Sequence, residues 1–157
     1  MIKYITFAGF LLLSALAFAQ ESAEMVVETD YSSPLTIQSG ETEHEFLVEI
    51  SSTQEEISTG MMHRPEMAAD VGMLFEMGES DVQYFFMRNT LVSLDILFVS
   101  GSGEIMSIAH HAAPLSERRV SSGVPVSFVL ELKGGQAGIL GISPGDTVKH
   151  ELLGNVG

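Results

Sequence analysis

The sequence predicts a mainly β (α+β) domain: a compact antiparallel small barrel or sandwich of about seven or eight short strands, with one or two short helices. Three observations carry that prediction. A chain of 157 residues is long enough for one ordinary domain and too short for two. Its apolar residues fall in short runs that either alternate with period two or are apolar throughout. Turn signals separate the runs, among them Ser39–Gly40, Gly101–Ser102–Gly103 and Ser143–Pro144–Gly145–Asp146.

The first segment reads as an address. Lys3 gives a short positive region, an apolar run extends from Ile5 to Phe18, and Ala17–Phe18–Ala19 supplies the small residues a signal peptidase reads. The run is shorter than the ~20 apolar residues of a membrane span. Residues 1–19 are therefore expected to be a signal peptide, and the destination the periplasm or the outside of the cell, with no stable membrane span after cleavage. Residues 20–34 form an acidic lead-in without periodicity, and 35–157 form a single β-rich domain with no internal repeat.

Along that domain, Leu35–Gln38 and the alternating stretch from Thr42 to Ile50 form a candidate hairpin, with His44, Phe46 and Val48 on the apolar side. A helical turn and loop follow from Ser58 to Met67. Gly72–Met77, Gln83–Met87 and Leu94–Val99 are three further strands, the last apolar on both faces and hence central in its sheet. Glu104–Ile108 and Val126–Leu132 follow, with Glu131 the lone charge in an apolar run. Gly134–Leu140 gives one or two helical turns, and Thr147–Leu153 a final strand after a type II turn.

Composition excludes several functions. With no cysteine, disulfide scaffolds, zinc ribbons, iron–sulfur sites and thiol chemistry are ruled out. A net charge of −14 repels phosphate backbones and argues against a nucleic-acid partner. Nine methionines, with His63 beside Met62, raise a copper(I) site, but Met73, Met77 and Met87 lie in strand patterns where a flexible apolar side chain fills gaps. His110 and His111 are adjacent and point to opposite sides of an extended segment, and His44 reads as a hydrogen-bonded core residue. No metal site and no cofactor is expected. There is no G-x-S-x-G elbow, and Gly134–Gly135–Gln136–Ala137–Gly138 lacks a nucleotide-loop ending, so a tight turn into a helix accounts for it.

The most informative stretch is Met87–Arg88–Asn89–Thr90, followed by Asp95 at the head of the central strand. A carboxylate in that position needs a partner or an open cavity. Arg64 and Arg88 are the cations embedded in the apolar middle of the chain, so an Arg–Asp pair in fork geometry is the expected partner. A ligand pocket and a structural ion pair would leave the same mark in the sequence.

These segments resemble a bacterial and archaeal family, the domain of unknown function numbered 192. Gly60–Met61–Met62–His63–Arg64 is similar to its G-L-M-x-R, Gly72–Met73–Leu74–Phe75 to its G-M-L-F, and Phe86–Met87–Arg88–Asn89–Thr90 to its W-M-K/R-N-T. Leu94–Asp95–Ile96–Leu97–Phe98 is similar to its L-D-I-x-F, and Val129–Leu130–Glu131–Leu132, Gly135 and Gly145–Asp146 complete the series. Phe86 stands where the family has tryptophan, and Ser93 where it has proline. The resemblance implies a small exported or membrane-associated domain, mainly β, with no established activity and no catalytic residues to carry over.

Two functions are compatible with these observations. The first is a periplasmic binding or accessory module for a small polar or anionic ligand, held by Arg64, Arg88, Asn89, Thr90 and Asp95. The alternative is a hydrolase or lyase that uses Asp95 and Glu131 as acid and base, which requires the two carboxyls to lie roughly 5–10 Å apart and open to solvent.

Overall fold

The computed structural model describes residues 29–156. The expected signal peptide and the lead-in up to residue 28 lie outside the described residues. The elements run β1 (Ser33–Ser39), β2 (Thr42–Ser51), α1 (Gln54–Thr59), β3 (Val71–Phe85), β4 (Leu94–Val99), β5 (Ile105–Ala112), β6 (Val120–Lys133), α2 (Gln136–Leu140) and β7 (Thr147–Lys149), ending in a 3-10 turn at Glu151–Leu153. Seven strands make one sheet in the order β5-β4-β6-β3-β2-β1-β7, curled into a half-barrel.

Most pairings are antiparallel, as expected, and β1–β2 is the hairpin read from the sequence. The exception is β2–β3, which is parallel, so the sheet is mixed. Parallel neighbours need a crossover, and here residues 52–70 supply it. The helix in that crossover starts earlier than expected. Thr53 and Glu56 form a reciprocal capping box, with Thr53 Oγ1 accepting from Glu56 N and Glu56 Oε2 accepting from Thr53 N. The helix stops at Gly60, whose φ is +46°, leaving residues 60–70 as loop. The two strands expected at 72–77 and 83–87 are one long strand, β3, interrupted by register shifts between Glu76 and Asp81 and between Val82 and Tyr84.

β4 and the Phe128–Leu132 part of β6 are buried on both faces. Alternation then sorts their side chains into two cores. Leu97, Leu130, Leu132 and Leu74 join Leu35, Ile37, Phe46 and Val48 inside the half-barrel. Ile96, Phe98, Val129, Met73 and Phe75 point outward, where the 60–67 loop (Met61, Met67) and the end of β3 with its following turn (Phe85, Met87) cover them. Phe85 stacks edge-on to both Phe75 and Phe98, with ring centroids 5.3 and 6.1 Å apart.

The half-barrel is drawn together at one end by backbone bonds between its edge regions. Val148 N donates to Gly103 O (2.7 Å), Ile105 N to Asp146 O (2.9 Å) and Gly145 N to Ile105 O (2.8 Å). Gly103 sits at φ +96°, and a Cβ there would collide with Val148 O and Asn155 Nδ2. Substituting Gly103→Ala should therefore destabilise the fold by about 2 kcal/mol or more through strain and loss of this closure, seen as a lower urea midpoint.

Asp95 completes the fold from inside. β5 bulges opposite it, since Leu94 pairs Ala112 while Ile96 pairs Ala109, and His111 adopts φ +49°. Asp95 Oδ1 accepts the His111 N–H left free by the bulge (2.8 Å). Its Oδ2 accepts from Ala137 N (2.9 Å) in the first turn of α2, whose own cap residue is Gly135 and has no side chain to offer. Replacing Asp95 by Ala would strand two buried donors and should cost about 3–5 kcal/mol in chemical denaturation, whereas Asp95→Asn, with one acceptor left, should cost less.

Candidate functional site

The two carboxyls that were candidates for paired acid–base chemistry lie on opposite faces of one sheet. Across β4 and β6, Asp95 is opposite Leu132 and Ile96 is opposite Glu131. Asp95 therefore points into the half-barrel with Leu132, and Glu131 outward with Ile96 and Met73. Asp95 is fully buried, and its hydrogen bonds go to backbone amides, with the His110 ring 4.0 Å away. Asp95 is closed to solvent and points to the opposite face from Glu131, so the open pair of carboxyls that the alternative reading requires is not formed. The expected Arg–Asp fork fails for the same reason, because the cations lie on the other face.

Arg64 does form a fork, but with Glu49 of β2. Its Nη1 and Nη2 donate to Glu49 Oε2 and Oε1 at 2.7 and 2.9 Å, and Nη1 also donates to the Tyr31 hydroxyl at 3.0 Å. Burial alone would weaken the guanidinium charge; the Glu49 and Tyr31 bonds outweigh it and hold the pKa above its ordinary value. Arg64 is 5 % exposed, so this pair is part of the scaffold that pins the 60–67 loop to the sheet. A cavity of about 990 Å³ lies beside it, bordered by Tyr31, His63, Met67, Val92, Ser93 and Lys133. Of its polar residues, Arg64 is bonded to Tyr31 and Glu49, with its Nε buried and unpartnered among the described residues, and His63, Ser93 and Lys133 also border the cavity.

A smaller cleft of about 340 Å³ opens over the outward face of β3 and β6. Glu131 is among its lining residues, only 4 % exposed. Its Oε2 is buried without a hydrogen-bond partner among the described residues. Its lining is mixed: Ile57, Met61, Met62 and Met77 with the rings of Phe75, Tyr84, Phe85 and Phe86 supply the soft apolar part, and Ser58, Thr59, Arg88 and Thr90 the polar part. Burial pushes the Glu131 carboxyl up to about 8, against the pull of the nearby Arg64 guanidinium. Burial thus favours the protonated form of this carboxyl.

Three of the other candidates from the sequence gather at this cleft. Arg88 and Thr90 line it, while Asn89, in a left-handed conformation at φ +55°, turns its Nδ2 toward Met62 Sδ at 3.9 Å. Arg88 is largely exposed and paired through Nε with Glu117 Oε1 at 3.2 Å. Thr90 is buried, with its hydroxyl on Arg88 O (3.4 Å). The Asn89 carbonyl accepts from His63 N, which ties the 86–90 turn to the 60–64 loop. Outside the cleft mouth, Arg119 stacks over Tyr84 and Phe86, 5.2 and 5.9 Å from the ring centres. The methionines divide: Met61, Met67, Met73 and Met87 are core, and Met62 and Met77 are partly open to the cleft.

Residues 35–150 match the family model of DUF192, Uncharacterized ACR. The chain belongs to DUF192. Its fold also matches solved structures. A protein from Sinorhizobium meliloti 1021, named there as a proposed transcription regulator, is 35% identical with a TM-score of 0.76, covering 80% of this chain and 99% of that one. A protein of unknown function from Novosphingobium aromaticivorans DSM 12444 is 34% identical with a TM-score of 0.73, covering 82% and 97%. No curated protein matches.

In this DUF192 chain the segments similar to family motifs converge on the outward face: Met61 from the first, Phe75 from the second, Phe86, Arg88 and Thr90 from the third, and Glu131 from the last. Phe86, in the family's tryptophan position, is half exposed on the cleft wall. Ser93, in the proline position, does not leave the connection loose, because its hydroxyl donates to Ala112 O and its carbonyl accepts from Gly134 N. His44 departs from expectation, with its Nε2 buried and unpartnered among the described residues. Glu49 and Tyr31, the partners of Arg64, carried no sequence signal beyond their residue type.

The raised Glu131 pKa has a definite sign in stability. The unfolded carboxyl titrates near its ordinary 4.5 and the folded one near 8, so between these values only the folded state holds the proton. Its contribution is intact below about pH 4.5 and is lost as pH rises through 8. Relative to the wild type, Glu131→Gln should therefore become progressively more stable from pH 5 to pH 9, reaching a few kcal/mol in paired urea titrations.

Proposed function

We propose that this DUF192 domain is an exported binding module, working in the periplasm or outside the cell, whose ligand enters the cleft over Glu131. The observation that carries the reading is the buried carboxyl of Glu131, its Oε2 without a partner among the described residues, at a cleft with mixed apolar and polar walls. Leaving a buried polar atom unmet costs on the order of 1–3 kcal/mol, a cost a ligand would offset. A concave apolar site with a few polar groups is the usual form of a small-molecule pocket, and 340 Å³ lies at the small end of the range.

The ligand this site favours is small, with an apolar body against Phe75, Phe85 and Met77 and a polar head at Glu131. Arg88 and Thr90 remain site residues from the sequence reading, at the wall, and Asn89 acts by holding Met62 and the loop in place. Arg64 and Asp95 shape the scaffold. An anionic head would meet the Glu131 carboxyl, while the Arg64 fork is bonded to Glu49 and Arg88 is paired with Glu117. The name of the Sinorhizobium neighbour suggests nucleic acid, yet a net charge of −14 would repel it.

Methionine-methyl NMR on the protein tests this reading with three probes that share a phenethyl body: phenethylamine, phenethyl alcohol and 3-phenylpropionate. At least one should shift the Met61, Met62 and Met77 methyls saturably in the micromolar to millimolar range, while Met106, exposed on β5, stays unmoved. Met77→Trp, which fills the cleft, should abolish the shifts with the circular dichroism spectrum retained. Absence of shifts with all three probes would overturn the reading.

A further inference from the structure

The buried carboxyl narrows the ligand class. Resting on the binding-module reading, we infer that the head group recognised at Glu131 is an ammonium: the ligand is a small organic amine with an apolar body, paired with the Glu131 carboxylate and enclosed by the aromatic and thioether walls of the cleft.

Four observations support an amine over a neutral or anionic head. A carboxylate with no protein partner in a dry site is compensated best by a cation, and Glu131 Oε2 has none among the described residues. The cleft is lined by the rings of Phe75 and Phe85, by Tyr84 and Phe86, which already attract the Arg119 guanidinium, and by the polarisable sulfurs of Met61, Met62 and Met77. The nearest cations of this chain do not hydrogen-bond Glu131: Arg64 forks onto Glu49 and reaches Glu131 only through its charge, Arg88 pairs with Glu117, and Arg119 lies over Tyr84 and Phe86. Finally, a chain of net charge −14 raises the local concentration of cationic ligands around it.

Binding of an amine is then a proton exchange. Glu131–COOH and R–NH₃⁺ give the Glu131–COO⁻···⁺H₃N–R pair and one H⁺ released to solvent. Besides Glu131, the titratable groups at the site are Tyr84 of β3 and Arg88 of the following turn on the cleft wall, with Arg64 of the 60–67 loop acting through its charge. From α1 the cleft receives Ile57, Ser58 and Thr59, and from β4 the residue beside Glu131 is Ile96, so neither adds a titratable side chain. Glu131 is the carboxyl among the residues lining the cleft, and its raised pKa makes it the group that exchanges.

The same three probes decide it, by calorimetry between pH 6 and 8 in two buffers of different ionisation heat. The expected result is that phenethylammonium binds at least about tenfold tighter at pH 8 than either the alcohol or the propionate. Its affinity should rise about tenfold per pH unit from 6 toward 8, with about one proton released at pH 6. Glu131→Gln should lose the amine preference and the pH slope, and the slope and proton count on the wild type decide the matter even if that variant does not fold. Equal or tighter binding of the alcohol or the propionate, with shifts at Met61 and Met77, would overturn the amine assignment and leave the cleft reading standing. No cleft shift with any probe would overturn both.

Discussion

The alternation of one doubly buried strand governs this structure. Along β6, Leu130 and Leu132 must face the inside of the half-barrel, so Val129 and Glu131 must face outward. The register with β3 and β4 then places Glu131 beside Met73 and Ile96 and turns Asp95 to the opposite face. A slip of one residue would exchange the two faces, putting a carboxyl without partners into the core and Asp95 where no amide awaits it. The division between a structural carboxylate and an available carboxyl is thus set by sheet register.

The two acids show how environment assigns role to the same chemical group. Asp95 is the more deeply buried, yet each oxygen accepts a backbone N–H, one from a bulge and one from a helix terminus. Those donors would otherwise be orphaned, so the carboxylate and the irregular backbone stabilise each other. Glu131 has no such donors and holds its proton instead. An apolar residue of similar size would pack on this face without that cost, which is why the acid is informative. Around it, the 60–64 loop is anchored by the Arg64–Glu49 fork, and the 86–90 turn is bonded to that loop through His63 N and Asn89 O. The cleft walls are therefore held in place by contacts outside the cleft.

Much of the fold was legible because strands buried on one or both faces have periodic signatures. The β1–β2 hairpin, the central position of β4 and the type II turn at Ser143–Asp146 all follow from residues a few positions apart. The capping box Thr53–Glu56 was equally local, but it precedes a six-residue helix whose apolar face is a single residue, Ile57, and so has no period to mark it. The parallel β2–β3 pairing was not legible, since strand direction depends on how residues 52–70 cross over. For the site, the lone Glu131 in an apolar run and the Arg88–Thr90 turn both stood out. Arg64 stood out as well, but not its partner: Glu49 alternates with Glu43 and Glu45 on β2, and nothing in the spacing distinguishes it.

The sequence by itself determined that this is one mainly β domain, that it has no thiol chemistry, that it resembles DUF192, and that a few charges are set among apolar strands. These are consequences of composition, short-range period and motif order, which need no knowledge of what meets what. Only the tertiary structure decided which charges meet. Asp95 and Glu131 are neighbours across the sheet yet face opposite ways, Arg64 turns to Glu49, and the Glu131 carboxyl is left at a cleft with no hydrogen-bond partner for its Oε2 among the described residues. The physical reason is that pairing depends on the register of strands far apart in sequence, and a shift of a single residue there reverses which face each side chain occupies.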